Sequence, residues 1–165
     1  MKAVANSSIL IALSTIKQLE LLPQRFPKGI LIPQAVWREV VETGKGQPGA
    51  TEVSTSMWIS VREVKNESLV HLLRIELDEG EAEAIALCLE QHTNEILLDE
   101  KDARRVARRT GLSVLGTVGI LIWAKRAGLI TNLQEQLDML QKEGQFRLSQ
   151  SVYKEALRTV GEVPE

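Results

Sequence analysis

EILLDEKDARRVARRTGLSVLGTVGILIWAKRAGLI, residues 95–130, holds two strand–helix units laid end to end. The apolar run before Asp99 is too short for a helix and reads as a strand. KDARRVARRTG then carries helix-spaced residues and closes at Gly111, a residue suited to the position just past a helix. LSVLG repeats the strand signal, and TVGILIWAKRAGLI the helical one. A strand reaches a parallel neighbour only through a crossover of this kind. Short strands separated by helices therefore predict a parallel sheet covered on both faces, with right-handed crossovers.

The rest of the chain repeats the pattern. KAVA, residues 2–5, reads as a short buried strand, and Ser8–Leu19 as a helix with Ile9, Leu10, Leu13 and Ile16 on its apolar side. Gly29–Ile32 is a second strand stopped by Pro33, which suits the first turn of the helix bearing Val36, Trp37, Val40 and Val41. Residues 42–56, with three Gly and one Pro, read as a loop. WISVREV (58–64) is a third strand, Glu67–Leu77 a helix broken at Asp78 and Gly80, and GEAEAIALCLEQH (80–92) another helix. NLQEQLDMLQKEG and SQSVYKEALRTV add C-terminal helices over residues 131–160. The expected fold is α/β: a three-layer α/β/α sandwich around a central parallel sheet of about five short strands. One domain over residues 1–165 is expected, with the C-terminal helices packed on it.

Composition narrows the function classes. Hydrophobic residues at 44% and charged ones at 25% are an ordinary soluble balance. A net charge of −2 and a pI near 5.8 argue against nucleic-acid binding by bulk charge, so any such binding needs a local patch. The single cysteine, Cys88, excludes an internal disulfide and a Cys-based zinc site, and its apolar neighbours assign it to the core. The two histidines, His71 and His92, follow no strand, which argues against nitrogen-ligated zinc. GKGQPG lacks P-loop spacing, and Ser7 and Ser8 have no nearby base to activate a nucleophile. With no signal peptide and no run of about 20 apolar residues, a cytoplasmic, non-membrane protein is expected.

Ligands of parallel α/β sheets gather at the carboxyl ends of the strands. There stand Asn6-Ser7-Ser8 after the first strand, Asp99-Glu100 after the fourth and Gly116-Thr117 after the fifth. Glu39 follows the second strand, and Glu81 and Glu83 flank the start of the helix at Ala84–Leu89. Singly, each has an ordinary role: Glu39 exposed beside Arg38, Glu81 favoured by a helix dipole, Asn6 or Asp99 capping a helix. Jointly, at one sheet edge and without His or Cys, they form the oxygen set that Mg²⁺ and Mn²⁺ prefer. Beside them, Arg104 and Arg108 are four apart, as are Arg105 and Arg109, and Lys101 joins the Arg105 side. This helix face reads either as solvated and partly paired with Asp102, or as a ridge for nucleic-acid phosphates.

VANSSILIALSTIKQLELL, IPQAVWREVV, LDEGEAEAIALCLE, the 95–130 stretch and LDMLQKEGQFRLSQSVYKEAL stand in this order. In these pieces the chain resembles the PIN-domain family of metal-dependent nucleases, above all the short stand-alone proteins related to VapC-type toxins. The resemblance implies RNA cleavage with Mg²⁺ or Mn²⁺, with Glu39, Glu81 and Asp99 as catalytic residues. It implies a metal held among Asn6, Glu39, Glu81 or Glu83, and Asp99, with Ser8 and Thr117 as supporting hydroxyls. Lys101, Arg104, Arg105 and Arg108 would bind RNA, and a small antitoxin protein and a second copy of the chain are the expected protein partners. One position departs from the family: Asn6 stands where an Asp is usual. The expectation is a metal-dependent endoribonuclease of single-stranded RNA, of the kind that serves as the toxin of a toxin–antitoxin pair. The alternative is a catalytically attenuated or inactive RNA- or protein-binding module.

Overall fold

A computed structural model describes residues 2–163. Five strands, β1 (Ala3–Ala5), β2 (Ile30–Pro33), β3 (Ile59–Arg62), β4 (Glu95–Leu97) and β5 (Ser113–Leu115), form one parallel sheet in the order β3-β2-β1-β4-β5. Val4 pairs with Leu31 on one side and Ile96 on the other. Side chains alternate between the two faces of a strand, and here the alternation divides two cores. Ala3, Ala5, Ile30, Ile32 and Leu97 enter one; Val4, Leu31, Ile96 and Leu98 enter the other. Both faces are covered, which is why the central strands are apolar throughout.

The first core lies under α1 (Ser7–Thr15), α2 (Leu21–Arg25), α3 (Gln34–Trp37) with its π-helical continuation Arg38–Thr43, and α4 (Ala50–Thr55). The second lies under α5 (Glu67–Leu73), α6 (Glu79–Gln91) and α7 (Lys101–Arg109). The last helices, α8 (Thr117–Arg126), α9 (Leu133–Glu143) and α10 (Gln150–Thr159), return to the first core through Ile120, Leu137 and Leu157. The chain runs β1 to β3 in one direction, crosses back through α5 and α6, and continues from β4 to β5 on the far side of β1. Opposite directions on opposite faces give the crossovers one hand. The reversal falls between β1 and β4, so a crevice opens at their carboxyl ends.

Several boundaries differ from the expectation. The first helix runs from Ser7 only to Thr15, because Lys17 adopts φ 60°; α2 then forms separately, with Pro23 inside its first turn. Residues 42–56 are not simply a loop. The π-helical turn reaches Thr43, and α4 starts after Gly49 at φ 99°, anchored by the buried Val53. The helix expected over Glu67–Leu77 ends at Leu73 and buries no residue fully. Cys88 is buried, as expected of a core residue.

Candidate functional site

Asn6 leaves β1 with its N–H donating to the Leu97 carbonyl of β4 at 3.1 Å, which fixes it at the crevice. It occupies the N-cap position of α1, yet its side chain makes no capping bond. Asn6 is 4% exposed, and its Oδ1 has no hydrogen-bond partner among the described residues. The Ser8 hydroxyl shares that condition. Opposite stands Gly80, in the first turn of α6. A Cβ there would lie 3.3 Å from Asn6 Oδ1 and 3.4 Å from Glu39 Oε2, so both oxygens converge on the space over this glycine, and a side chain would crowd them. Glu39 reaches this point from the π-helical turn, a distortion often found where a side chain must be re-aimed.

Glu81, 6% exposed, belongs to a capping box at the start of α6. Its N–H donates to Asp78 Oδ1 at 2.8 Å, and its Oε1 accepts the Asp78 N–H at 3.1 Å. Burial pushes the Glu81 pKa up, and the Asp78, Glu100 and Glu39 charges add to the rise against the Asp78 backbone bond. Glu83, two residues on, faces elsewhere: its Oε1 accepts the Ala35 N–H at 3.2 Å, at the start of α3. The two acids of GEAEA thus separate, Glu81 toward the crevice and Glu83 onto a helix end.

Asp99 follows β4. Its Oδ1 accepts the Thr117 N–H at 2.7 Å and its Oδ2 accepts the Thr117 hydroxyl at 2.6 Å, so it holds the start of α8. The cap of α7 is Glu100, whose Oε1 accepts the Asp102 N–H at 3.5 Å. Thr117 is fully buried, and Gly116 permits the approach, since a Cβ there would stand 2.9 Å from Asp99 Oδ1. Burial raises the Asp99 pKa, outweighing the two Thr117 bonds and the Arg104 charge, which lower it.

Asn6, Ser8, Glu39, Glu81 and Asp99 line one open cavity of about 520 Å³. The cavity also takes in Glu100, named in the sequence at the exit of the fourth strand, and Asp78, Phe146 and Arg147, which sequence reasoning did not place at the site. Asp78 was findable from the Asp-x-x-Glu spacing of the capping box. Phe146 and Arg147 carried no signal, because the segment between α9 and α10 reaches the crevice only through the packing of those helices. Of the basic ridge, Arg104 turns toward Asp99 and Gly116, whereas Arg105 is paired with Glu76 at 3.2 Å and Asp102 at 3.7 Å. Lys101 and Arg108 are exposed.

A profile described as a PIN domain matches residues 2–162. The chain belongs to the PIN-domain family. No curated protein matches it. The PIN fold is nuclease-like, points to RNA as a ligand and generally uses divalent metal ions. Among the described residues, no three His, Cys, Asp or Glu side chains are grouped so as to hold a metal ion. The donor chemistry of the PIN cavity still fits a hard cation: an unpartnered amide oxygen beside Glu39 Oε2, with Glu81 and Asp99 on the same walls. Mg²⁺ commonly takes one or two carboxylates and keeps its waters, so a closed cage of acids is not required. Among the described residues no helix is long and apolar enough to cross a membrane.

Proposed function

We propose that this PIN domain is a metal-dependent endoribonuclease that hydrolyses phosphodiester bonds of single-stranded RNA, acting as the toxin of a toxin–antitoxin pair. The convergence of Asn6 Oδ1 and Glu39 Oε2 on Gly80, in a cavity shared with Glu81 and Asp99, carries the reading. Asn6, Glu39, Glu81 and Asp99 would hold Mg²⁺ or Mn²⁺, which when bound polarises the phosphate and lowers the pKa of a bound water. Thr117 orients Asp99 by bonding both of its oxygens, and Ser8 offers a free hydroxyl to the phosphate or its waters. Arg104, Lys101 and Arg108 supply positive charge for the RNA backbone; Arg105 contributes less, because Glu76 and Asp102 already engage it. Hydrolysis adds water across the scissile bond and leaves a 3′-hydroxyl and a 5′-phosphate. A small antitoxin and a homodimer are the partners that go with this reading, in the cytoplasm.

The expected result is cleavage of single-stranded RNA by purified protein with Mg²⁺ or Mn²⁺, and its loss in Asp99→Asn. Cleavage that survives both EDTA and that substitution refutes the proposal. A second reading, an attenuated or inactive RNA-binding module, is favoured by one observation: the buried oxygen at position 6 belongs to a neutral amide. Metal-dependent cleavage that appears only in Asn6→Asp supports that reading, and cleavage by wild type, even where Asn6→Asp is faster, removes it.

A further inference from the structure

The acidic cavity has a neighbour of about 500 Å³, and the two share Asp99, Phe146 and Arg147. The walls of the second are largely apolar, formed by Leu115, Val118, Leu148 and Val152. Val152, at the rim, is 45% exposed. Two cations, Arg104 and Arg147, border this apolar space. Arg104 lines it, and a Cβ on Gly116 would lie 3.5 Å from Arg104 Nη1. Arg104 Nε is buried with no hydrogen-bond partner among the described residues, while Arg105 next to it is paired twice. Apolar walls, an aromatic ring at the edge and a guanidinium whose Nε lacks a partner suit a flat ligand with polar edges. A membrane or a wholly apolar peptide would leave Arg104 unmatched.

We propose that this second cavity binds one unpaired nucleobase of the RNA whose neighbouring phosphodiester lies in the acidic cavity, with Phe146 stacking on the base and Arg104 bonding its edge. The base pocket presupposes the ribonuclease reading of the first cavity and adds a specificity element to it. Asp99 lies on the wall common to both cavities, so a strand with its phosphate at Asp99 has its adjacent base at the second opening. Guanine suits it best, because its O6 and N7 both accept from one guanidinium.

The test is methyl NMR of the full chain titrated in EDTA with guanosine 5′-monophosphate, and separately with ribose 5-phosphate, which lacks the base. Guanosine monophosphate is expected to shift the methyl signals of Leu115, Val118, Leu148 and Val152, and ribose 5-phosphate to leave them in place. Arg104→Gln and Phe146→Ala are each expected to weaken the nucleotide roughly tenfold, the scale of one stacked base, with spectra that otherwise report a folded chain. Unshifted methyls, equal shifts with ribose 5-phosphate, or wild-type affinity in both variants overturn the proposal. RNA cleavage with Mn²⁺, scored separately, keeps the two readings apart. A chain that cleaves but fails the titration loses only the base pocket; one that passes but never cleaves loses only the nuclease.

Discussion

At the C-terminal clasp Glu162 receives the N–H groups of Leu133 at 2.7 Å and Gln134 at 3.1 Å, and lies 3.3 Å from Lys125. Burial pushes its pKa up, but these partners outweigh it and hold the carboxyl below its ordinary value. At the mouth of the sheet the balance reverses. Burial holds Glu81 and Asp99 above their ordinary values despite the bonds each accepts, and neighbouring acids lift Glu81 further. The asparagines repeat the contrast. Asn132 caps α9 by accepting the Glu135 N–H at 2.9 Å, while Asn6, in the same position on α1, caps nothing. Carboxylates in both regions meet helix ends, but at the clasp those bonds outweigh burial. At the crevice burial outweighs them, and Asn6 Oδ1 and the Ser8 hydroxyl have no partner among the described residues, as at sites that await a ligand.

The same substitution made in both regions tests this difference most strongly. Asn6→Asp is expected to raise Mn²⁺-dependent RNA cleavage roughly tenfold or more, since a charged ligand replaces a neutral one. Asn132→Asp keeps an equally good cap and should leave both cleavage and melting temperature unchanged. A gain in both variants, or in neither, would erase the distinction between the two asparagines.

Removing one charge from each region comes next. Glu162→Gln weakens two charge-assisted bonds to α9 and should cost about 1 kcal/mol, a fall of roughly 2–4 °C in melting temperature, with cleavage intact. Glu81→Gln retains the side-chain oxygen that closes the capping box and removes a crowded charge. Its melting temperature should hold or rise while cleavage is lost. A Glu81→Gln chain that is both less stable and fully active would assign Glu81 to the scaffold alone.

Much of this arrangement was legible in the sequence because strand periodicity is local. Ala3-Val4-Ala5 and Ile30-Leu31-Ile32 alternate between the two cores as a buried parallel sheet requires, and strand exits mark where a ligand would meet it. What was not legible depends on how elements meet. Glu81 and Glu83 are two residues apart on a helix, hence on nearly opposite faces, and only the docking of α6 beside α3 decides which faces the crevice. Phe146 and Arg147 follow a helix whose position is set by Leu137 and Leu140 in a distant core. Asp99 looked like a cap for its own helix; its bonds go instead to Thr117, eighteen residues on.

Truncation of the two asparagines has a smaller effect, carried by stability alone. Asn132→Ala removes a cap bond and should cost about 1 kcal/mol. Asn6→Ala removes no such bond and should cost less, read as urea midpoints of the two variants against wild type. Equal losses would mean that the Asn6 side chain supports α1 after all.

The smallest effect is a difference in slope. Glu162, held below its ordinary 4.5, contributes stability that is fully present above that value and lost as pH falls through its lower folded pKa. Glu81 and Asp99, held above their ordinary values, behave in the opposite sense. Their contribution is complete below those values and is lost as pH rises through their raised folded pKa values. Urea midpoints taken between about pH 3 and pH 7 should therefore separate the variants. Relative to wild type, Glu162→Gln should lose its disadvantage toward acid, and Glu81→Gln should gain its advantage toward neutral pH. Parallel curves for the two variants would mean that the clasp and the crevice hold their carboxylates alike.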